Sequence, residues 1–375
     1  MKATAVIPPR TNIFERIIRG GWIGKVFLIL IGFAVVWKLV TSFMAGPVIF
    51  TQQVVNGLQL GFVYALIALG YTMIYGIVKL INFAHGDVFM VGAFTSYYAI
   101  ARFSLNTWPS QLIPSIPTWL SNIIGVITVI ILSMVTCAIL AFTIERFAYK
   151  PLRNAPRISA LITAIGVSFF LEYFGALPFV YTSNFVTYKR PFPVQTWAIS
   201  SQGISQVTLT SPAPPNSIII TNIAVIIIIV SIFLVLGLNY IVRRTRTGKA
   251  MRASAYDKPT SRLMGINVDG VISITFGIGA ALAGAAGVLY AIAYNQVYFI
   301  MGIIPGLKAF VAAVLGGIGS IPGALVGALI IGQAETLAAA YISTPMRDAV
   351  AFTILVLVLL IRPTGIFGEP SREKA

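Results

Sequence analysis

Long apolar runs separated by short polar segments make up most of the chain. The runs approach 20 residues and do not alternate apolar with polar positions, which is typical of membrane-spanning helices and not of barrel strands. We therefore predict an all-α, polytopic helical membrane protein with about ten crossings. The predicted spans are residues 26–44, 54–78, 89–100, 121–144, 158–180, 217–242, 266–293, 306–315, 323–341 and 348–361.

Two interruptions between apolar runs are too short to be ordinary loops. Residues 82–87 read NFAHGD, and residues 316–322 read GGIGSIP with Gly316, Gly317 and Gly319. Irregular backbone at membrane depth is tolerated where it is buried in protein or lines a cavity. We predict broken or re-entrant helices at both places, and the number of crossings falls to eight if residues 306–322 are re-entrant.

Positive charge is distributed unevenly along the chain. Five Lys or Arg residues precede residue 26, Lys79 follows the second run, four cations lie in residues 145–157, seven in residues 243–265, and three follow residue 361. These segments hold 20 of the 26 cations. Because Lys and Arg accumulate in cytoplasmic loops, we predict that these segments and both termini are cytoplasmic.

Composition excludes the soluble classes. The chain is 58% hydrophobic and 10% charged, with a mean hydropathy of +0.91, whereas soluble domains are about 25% charged. The net charge of +16 lies between spans and not on one continuous patch, so topology explains it and no nucleic-acid partner is expected.

Reactive residue types are scarce. The chain has one cysteine, Cys137, and one histidine, His85, which leaves too few ligands for a zinc or iron–sulfur site. No nucleotide-binding P-loop pattern is present. We expect no catalytic residues, no bound metal and no cofactor on this chain; it is not an enzyme, and ATP with Mg²⁺ would be used by partner subunits.

Residues 243–265 form the longest strongly basic interruption, with seven cations against Asp257. The pattern predicts a short helix over residues 248–256 and a second helix capped by Asp257, with Pro259 early in it and Gly265 as its left-handed stop. A solvated loop that binds anionic lipid headgroups is the alternative. The apolar positions in both helices favour a docking surface for a partner.

The cluster of Asn82, His85, Gly86 and Asp87 contains reactive side chains. A catalytic or metal role is disfavoured because no second carboxylate or nucleophile is near in sequence. Two interpretations remain: a helix break capped by Asp87 or Asn82, or a gate or part of a translocation path.

Polar residues inside the apolar runs form another candidate set. Asn56 and Gln59 either hydrogen-bond between helices or line the path. Charges at bilayer depth cost about 2.5 to 3.5 kcal/mol, so Glu172, Lys308 and Glu335 should face a cavity, a partner or an interface. Since no series of acids appears, a proton or sodium relay is poorly supported.

Four blocks of sequence, in order, resemble one transporter family. The blocks are NFAHGDVFMVGAF (82–94), ERFAYKPLRNAPRISALITAIGVSFFL (145–171), GKAMRASAYDKPTSRLMGIN (248–267) and VAAVLGGIGSIPGALVGALIIG (311–332). They are similar to the Liv-type permeases of branched-chain amino acid ATP-binding-cassette (ABC) importers, and more to the shorter of the two permease subunits. The resemblance covers about residues 50–368, which we take as a permease domain of residues 46–368. Residues 1–45, a cytoplasmic tail with an extra transmembrane helix, and the polar tail 369–375 are separate.

The resemblance implies partners and a mechanism. The partners would be a second homologous permease, two cytoplasmic ABC ATPases and an extracytoplasmic substrate-binding protein, at a bacterial plasma (inner) membrane. Transport would occur by alternating access driven by the ATPases. The family's coupling loop falls on residues 252–265, where its usual Glu-Ala-Ala start is replaced. The coupling residues would be Arg252, Ala253, Asp257, Pro259, Thr260, Ser261 and Gly265.

Other functions stay open at this point. A related group of permeases carries urea, so urea or short amides are possible substrates beside branched-chain and other neutral amino acids. From different classes, an ATP-independent channel, a secondary transporter or a membrane scaffold would need residues 243–265 only to face lipid or solvent.

Overall fold

The structure is a computed structural model that describes residues 22–79, 82–153, 155–201, 203–208, 211–362 and 364–368. The predicted tail at residues 369–375, and residues 1–21 of the predicted N-terminal segment, lie outside the described residues. The helices are α1 (Trp22–Ala45), α2 (Pro47–Val78), α3 (His85–Ala101), α4 (Trp108–Leu112), α5 (Thr118–Ile144), α6 (Arg157–Gly175), α7 (Asn222–Arg244), α8 (Arg246–Tyr256), α9 (Lys258–Leu263), α10 (Val268–Tyr294), α11 (Ile303–Gly316), α12 (Ile321–Tyr341) and α13 (Met346–Ile361).

Six helices in the described part of the chain are long and apolar enough to cross a membrane: α2, α5, α6, α7, α10 and α12. Helix α11 and the part of α1 from Gly32 to Ala45 are shorter apolar helices, and α3 and α13 have 17 and 16 residues. The predicted class, a polytopic helical membrane protein, is confirmed.

Helices α2 and α10 form the centre of the bundle. In each, 78% of the most apolar stretch of 18 residues is buried inside the bundle. The corresponding share is 33% for α5 with its extension to Leu152, 28% for α6 and 22% for α7. Apolar side chains on the three peripheral helices are exposed, for example Ile131, Phe169 and Phe233. The peripheral helices therefore present apolar faces to the surroundings of the chain.

Glycines let the central helices approach closely. A Cβ atom added to Gly332 on α12 would lie 2.5 Å from the Cα of Gly61 on α2, and one added to Gly92 on α3 would lie 2.6 Å from the Cα of Gly284 on α10. Small residues at helix contacts allow this backbone approach in membranes. The α2–α12 and α3–α10 crossings thus depend on the absence of side chains.

Two small antiparallel sheets occur where no strands are predicted. Most of their residues lie in predicted loops, but residues 218–221 belong to the predicted span 217–242, whose helix begins only at Asn222. Strands β2 (Thr196–Ser200), β3 (Gly203–Val207) and β4 (Ile218–Thr221) form a three-stranded sheet in the order β3-β2-β4, and β1 (Val186–Thr187) pairs with β5 (Gln296–Val297). Prediction missed them because the strands are short and most of their residues are polar or half-exposed.

The sheet marks one end of the bundle, and the basic segments mark the other. The side chain of Gln52, near the start of α2, donates to the carbonyl of Ile219 at 3.0 Å and accepts from its amide at 2.7 Å. At the far end of α2, the Lys258 ammonium donates to the carbonyl of Val78 at 3.4 Å. We call these ends the sheet end and the basic end.

Both predicted interruptions separate helices. Helix α2 ends at Val78 and α3 begins at His85, while α11 ends at Gly316 and α12 begins at Ile321. Helix α11 has 14 residues, which is about 21 Å and too short to cross a hydrocarbon core of about 30 Å. It therefore has the dimensions of a half-helix.

Candidate functional site

Helices α8 and α9 form a helix–turn–helix at the basic end. The Thr245 hydroxyl accepts from the amide of Gly248 at 3.1 Å and caps α8, and the Asp257 carboxylate accepts from the amide of Thr260 at 3.1 Å and caps α9. Pro259 lies in the first turn of α9, where its missing N–H has no helical partner to lose. Local sequence signals thus determine where both helices begin.

The second helix ends in a Schellman motif. The amide of Ile266 donates to the carbonyl of Ser261 and the amide of Gly265 to that of Arg262, both at 3.0 Å. Gly265 has φ +80°, in the left-handed region that L side chains rarely adopt. A Cβ atom at Gly265 would have nothing within 4 Å. The backbone conformation, and not lack of space, calls for glycine there.

The helix pair is attached to the bundle on one side and exposed on the other. Met251, Ser254 and Ser261 are buried, and Arg252 bonds to the carbonyl of Val242. The other face carries exposed apolar side chains: Tyr256, Leu263 and Met264 are 87%, 88% and 79% exposed. Of the predicted coupling residues, Arg252, Pro259, Thr260 and Gly265 are exposed, Ala253 and Asp257 are half-buried, and Ser261 is buried.

The helix break at residues 82–87 is held by side chains from other helices. The Tyr149 hydroxyl donates to Asn82 at 2.6 Å, and the Ser168 hydroxyl of α6 donates to Asp87 at 2.5 Å. The predicted cap by Asp87 or Asn82 is wrong, because Ala84 occupies the cap position and no side chain bonds there. Both polar side chains instead bond to hydroxyls from outside the break.

His85 packs inside the bundle. It is 1% exposed, and its ring lies edge-on to that of Tyr71, with 4.7 Å between ring centroids. A Cβ atom added to Gly70 would lie 2.2 Å from Nε2 of His85. The glycine thus makes room for the imidazole, and His85 is part of the packing that holds α3 against α2.

A central cavity of about 200 Å³ lies where α3 and α11 begin. Gly86 packs against the start of α11, since an added Cβ atom would lie 2.6 Å from the carbonyl oxygen of Gly302 and 3.3 Å from the Cα of Gly306. The polar groups that line the cavity are Tyr71, Asp87, Ser168 and Glu172. The prediction that Glu172 faces a cavity, a partner or an interface is confirmed.

A second cavity, of about 180 Å³, lies toward the sheet end. Its polar lining comprises Asn56, Gln59, Tyr294, Thr336 and Arg347. The two neutral candidates on α2 therefore share one cavity. They lie apart from Gly86 and Asp87, which line the central cavity.

A buried ion network adjoins this sheet-end cavity and links four helices. Lys308 of α11 lies 2.8 Å from Glu335 of α12 and 2.6 Å from Asp348 of α13. Arg347 lies 2.6 Å from Glu335, and the Tyr64 hydroxyl of α2 donates to the same carboxylate at 2.9 Å. Lys308 and Glu335 are 3% and 1% exposed. Lys308 and Glu335 were expected to face a cavity, a partner or an interface. They form an ion pair with each other between α11 and α12.

Comparison with known proteins places this chain in a family. A family model described as the permease component of the branched-chain amino acid transport system matches residues 53–359. The LivH permease of Escherichia coli K12, named for high-affinity branched-chain amino acid transport, is 44% identical over 326 residues, covering 87% of this chain and 97% of LivH. The chain belongs to this permease family.

Other relatives agree with this assignment. LivH of Salmonella typhimurium is 44% identical over 325 residues, covering 87% of this chain and 97% of the relative. BraD of Pseudomonas aeruginosa, also named as a branched-chain amino acid permease, is 39% identical over 337 residues, covering 87% and 98%. No solved structure matches. The predicted resemblance to Liv-type permeases is confirmed, and the permease is a multi-pass protein of the bacterial inner membrane.

The glycine-rich interruption of the permease is a packed turn. Gly316 packs against Gly323, with an added Cβ atom 1.9 Å from its carbonyl oxygen, and Gly317 (φ +102°) packs against Gly368. Gly319 (φ +99°) is exposed and lies near Gly76 of α2. These glycines line neither the central nor the sheet-end cavity. Their place is a tight connection between α11 and α12 at the basic end.

Sequence reasoning missed several residues of these sites. Ser168 bonds to Asp87, Tyr64 bonds to Glu335, and Arg347 joins the ion network. Glu172 shares the central cavity with Asp87, although 85 positions separate them in the sequence. No local pattern marks these contacts, because each joins side chains on different helices.

Proposed function

We propose that this permease is the membrane-spanning subunit of an ATP-driven importer that translocates branched-chain or other neutral amino acids by alternating access. The observation that carries the proposal is the α8–α9 pair: two capped helices at the basic end, with an exposed apolar tip, in a chain without a P-loop. An exposed apolar tip on a short helix is the kind of surface that docks into a partner's groove. Energy from ATP would enter the chain there.

The proposed partners are two ABC ATPases at the basic end, a second homologous permease and an extracytoplasmic substrate-binding protein at the sheet end. Tyr256, Leu263 and Met264 would contact an ATPase. The exposed apolar faces of α5, α6 and α7 would be shared between lipid and the second permease. The basic end would be cytoplasmic, because it holds Lys79 and the cation-rich segments 145–157 and 243–265.

We assign different roles to the predicted path residues. Asn56 and Gln59 in the sheet-end cavity, and Asp87 beside Gly86 in the central cavity, would contact the solute. Both cavities combine hydrogen-bonding groups with apolar walls, as small-molecule sites do. Asn82 and His85 would hold the helix break, and Gly316, Gly317 and Gly319 would serve as the α11–α12 hinge.

The substrate is tested by uptake in cells that carry the complete transport system. We expect labelled leucine to accumulate, excess isoleucine and valine to compete strongly, and depletion of ATP to stop uptake. Alanine, proline and glutamine test the wider neutral range, and urea tests the amide alternative. Competition by urea alone would contradict the amino acid assignment. Uptake that continues after ATP depletion would favour a channel or secondary transporter.

The coupling role of the α9 stop is tested at Gly265. Valine there must adopt a left-handed conformation that costs about 1 to 2 kcal/mol. We therefore expect the equilibrium constant for docking of the α8–α9 pair to fall about five- to thirtyfold. ATP-dependent uptake should fall, while the amount of protein in the membrane stays normal, because the position is open to solvent. Gly265→Asn is the matched control, since asparagine tolerates this conformation better. Equal uptake by the valine and asparagine variants would exclude the proposed role of the stop.

A further inference from the structure

A third cavity, of about 450 Å³, lies at the basic end beneath the α8–α9 pair. We call it the basic cavity. It is enclosed by the C-terminal end of α2, the turns that follow α5, the start of α9 and the first turns of α10. Its charged lining residues are Lys79, Glu145, Arg153, Lys258 and Arg262. Neither the proposed path nor the proposed docking tip uses this space.

Two arginines of the basic cavity are neutralised by carboxylates. Arg153 pairs with both Glu145 and Asp269. Arg262 lies 3.4 Å from Asp269, and Glu145 also accepts from the Ser273 hydroxyl at 2.7 Å. Two carboxylates thus balance two guanidinium groups.

Two lysines of the basic cavity have no such partner. Among the described residues, no carboxylate oxygen lies within 4.0 Å of the ammonium of Lys79 or Lys258. The Lys258 ammonium donates to the neutral carbonyl of Val78, and that of Lys79 lies 5.9 Å from the centre of the Tyr75 ring. Among the described residues at the cavity, the positive charges therefore exceed the negative ones by two.

The excess charge acts on Lys258, which lies in α9, outside the spans. Burial lowers the pKa of this lysine below its ordinary value, and the cations of Arg153, Lys79 and Arg262 lower it further. A bound anion would oppose these effects by favouring the charged ammonium. A negative group placed among these cations would therefore be favourable.

The opposite wall of the basic cavity is apolar. It is formed by Leu152, Val268, Ile272 and Phe276. A phosphate group would suit the lysines, which bind phosphate as point charges, and the apolar wall would suit the glycerol and first methylene groups of a lipid. The cavity lies where α2 and α10 reach their polar ends, and such helix ends would lie at the depth of lipid headgroups.

We infer that the basic cavity is a binding site for a phosphate-bearing anion, in the form of an anionic phospholipid headgroup held by Lys79 and Lys258. Such a ligand would connect the end of α2 to α9 through one bound group. This site does not depend on the proposed substrate or partners, because its test measures binding to the permease alone.

The test measures the thermal unfolding midpoint of the purified full chain in detergent. Phosphatidylglycerol, phosphatidylcholine and inorganic phosphate are titrated separately at equal ionic strength. We expect phosphatidylglycerol to raise the midpoint saturably and phosphatidylcholine to have little effect. A lysine near anionic lipid contributes about fivefold in affinity. Lys79→Gln with Lys258→Gln should therefore raise the phosphatidylglycerol concentration that gives half of the midpoint shift about 25-fold.

A second double variant is the matched control. Arg244→Gln with Lys249→Gln likewise removes two positive charges, here from exposed positions within residues 243–265, and neither residue lines the basic cavity. It should keep most of the stabilisation. An equal response to inorganic phosphate would support the site and identify free phosphate as its ligand. The inference is overturned if phosphatidylcholine stabilises equally, if the lysine variant responds like the unaltered chain, or if both double variants lose the response equally.

Discussion

Replacement of Glu335 by glutamine should destabilise the permease by about 3 to 5 kcal/mol, the usual cost of breaking a buried ion pair by removing one partner. The carboxylate is 1% exposed and receives Lys308, Arg347 and Tyr64 from three different helices. The neutral amide would leave Lys308 with only Asp348 and Arg347 without its carboxylate. The measurement is the free energy of unfolding in detergent, with denaturant as the variable.

Asp348→Asn is the control for this prediction. Asp348 contacts the same lysine at 2.6 Å, but its side chain is 46% exposed. Water can replace much of that interaction, so the expected cost is about 1 kcal/mol or less. If the two variants lose the same stability, burial of the Glu335 carboxylate is not what makes the network strong.

Replacement of Gly332 by valine should separate α2 from α12 and cost about 3 kcal/mol or more. The added Cβ atom would lie 2.5 Å from both the backbone nitrogen and the Cα of Gly61, and 2.7 Å from the carbonyl oxygen of Gly57. Backbone atoms cannot rotate away as a side chain can, so the helices themselves must move. The yield of monodisperse protein after detergent extraction, and its unfolding midpoint, should both fall.

Gly166→Val provides the comparison. Gly166 also lies within a membrane helix, α6, but a Cβ atom there would have nothing within 4 Å. The same substitution thus changes helix propensity equally in both helices and introduces a clash in only one. Comparable losses in the two variants would show that propensity, and not close approach, decides the effect.

Local signals predicted the features that depend on neighbouring residues. The helix pair α8–α9 follows from its caps and its stop. Asp257, Pro259 and Gly265 each affect backbone groups only a few positions away in the sequence, and the structure places each where the pattern predicts it. The membrane helices follow from the length of their apolar runs, which is set by the thickness of the bilayer.

Contacts between distant segments could not be predicted in this way. Asp87 was expected to cap its own helix, but it bonds to Ser168 on α6. Lys308 and Glu335 carry opposite charges 27 positions apart, and only the turn between α11 and α12 brings them together. The sheet near Gln52 depends on pairing between strands whose own patterns are weak. In each case the partner is selected by tertiary packing.

The meeting of α3 and α11 at Gly86 and Gly302 has an electrostatic consequence. From this point α3 runs toward the sheet end, where Tyr188 bonds to Ser96 at 3.1 Å, and α11 runs toward the basic end. Each helix start carries roughly half a positive charge from its free amide groups. Two such dipoles therefore converge on one point deep inside the bundle, with the Asp87 carboxylate in the first turn. A solute that follows the proposed path would meet these two helix starts and the Asp87 side chain at this point, in place of a hydrocarbon-like interior.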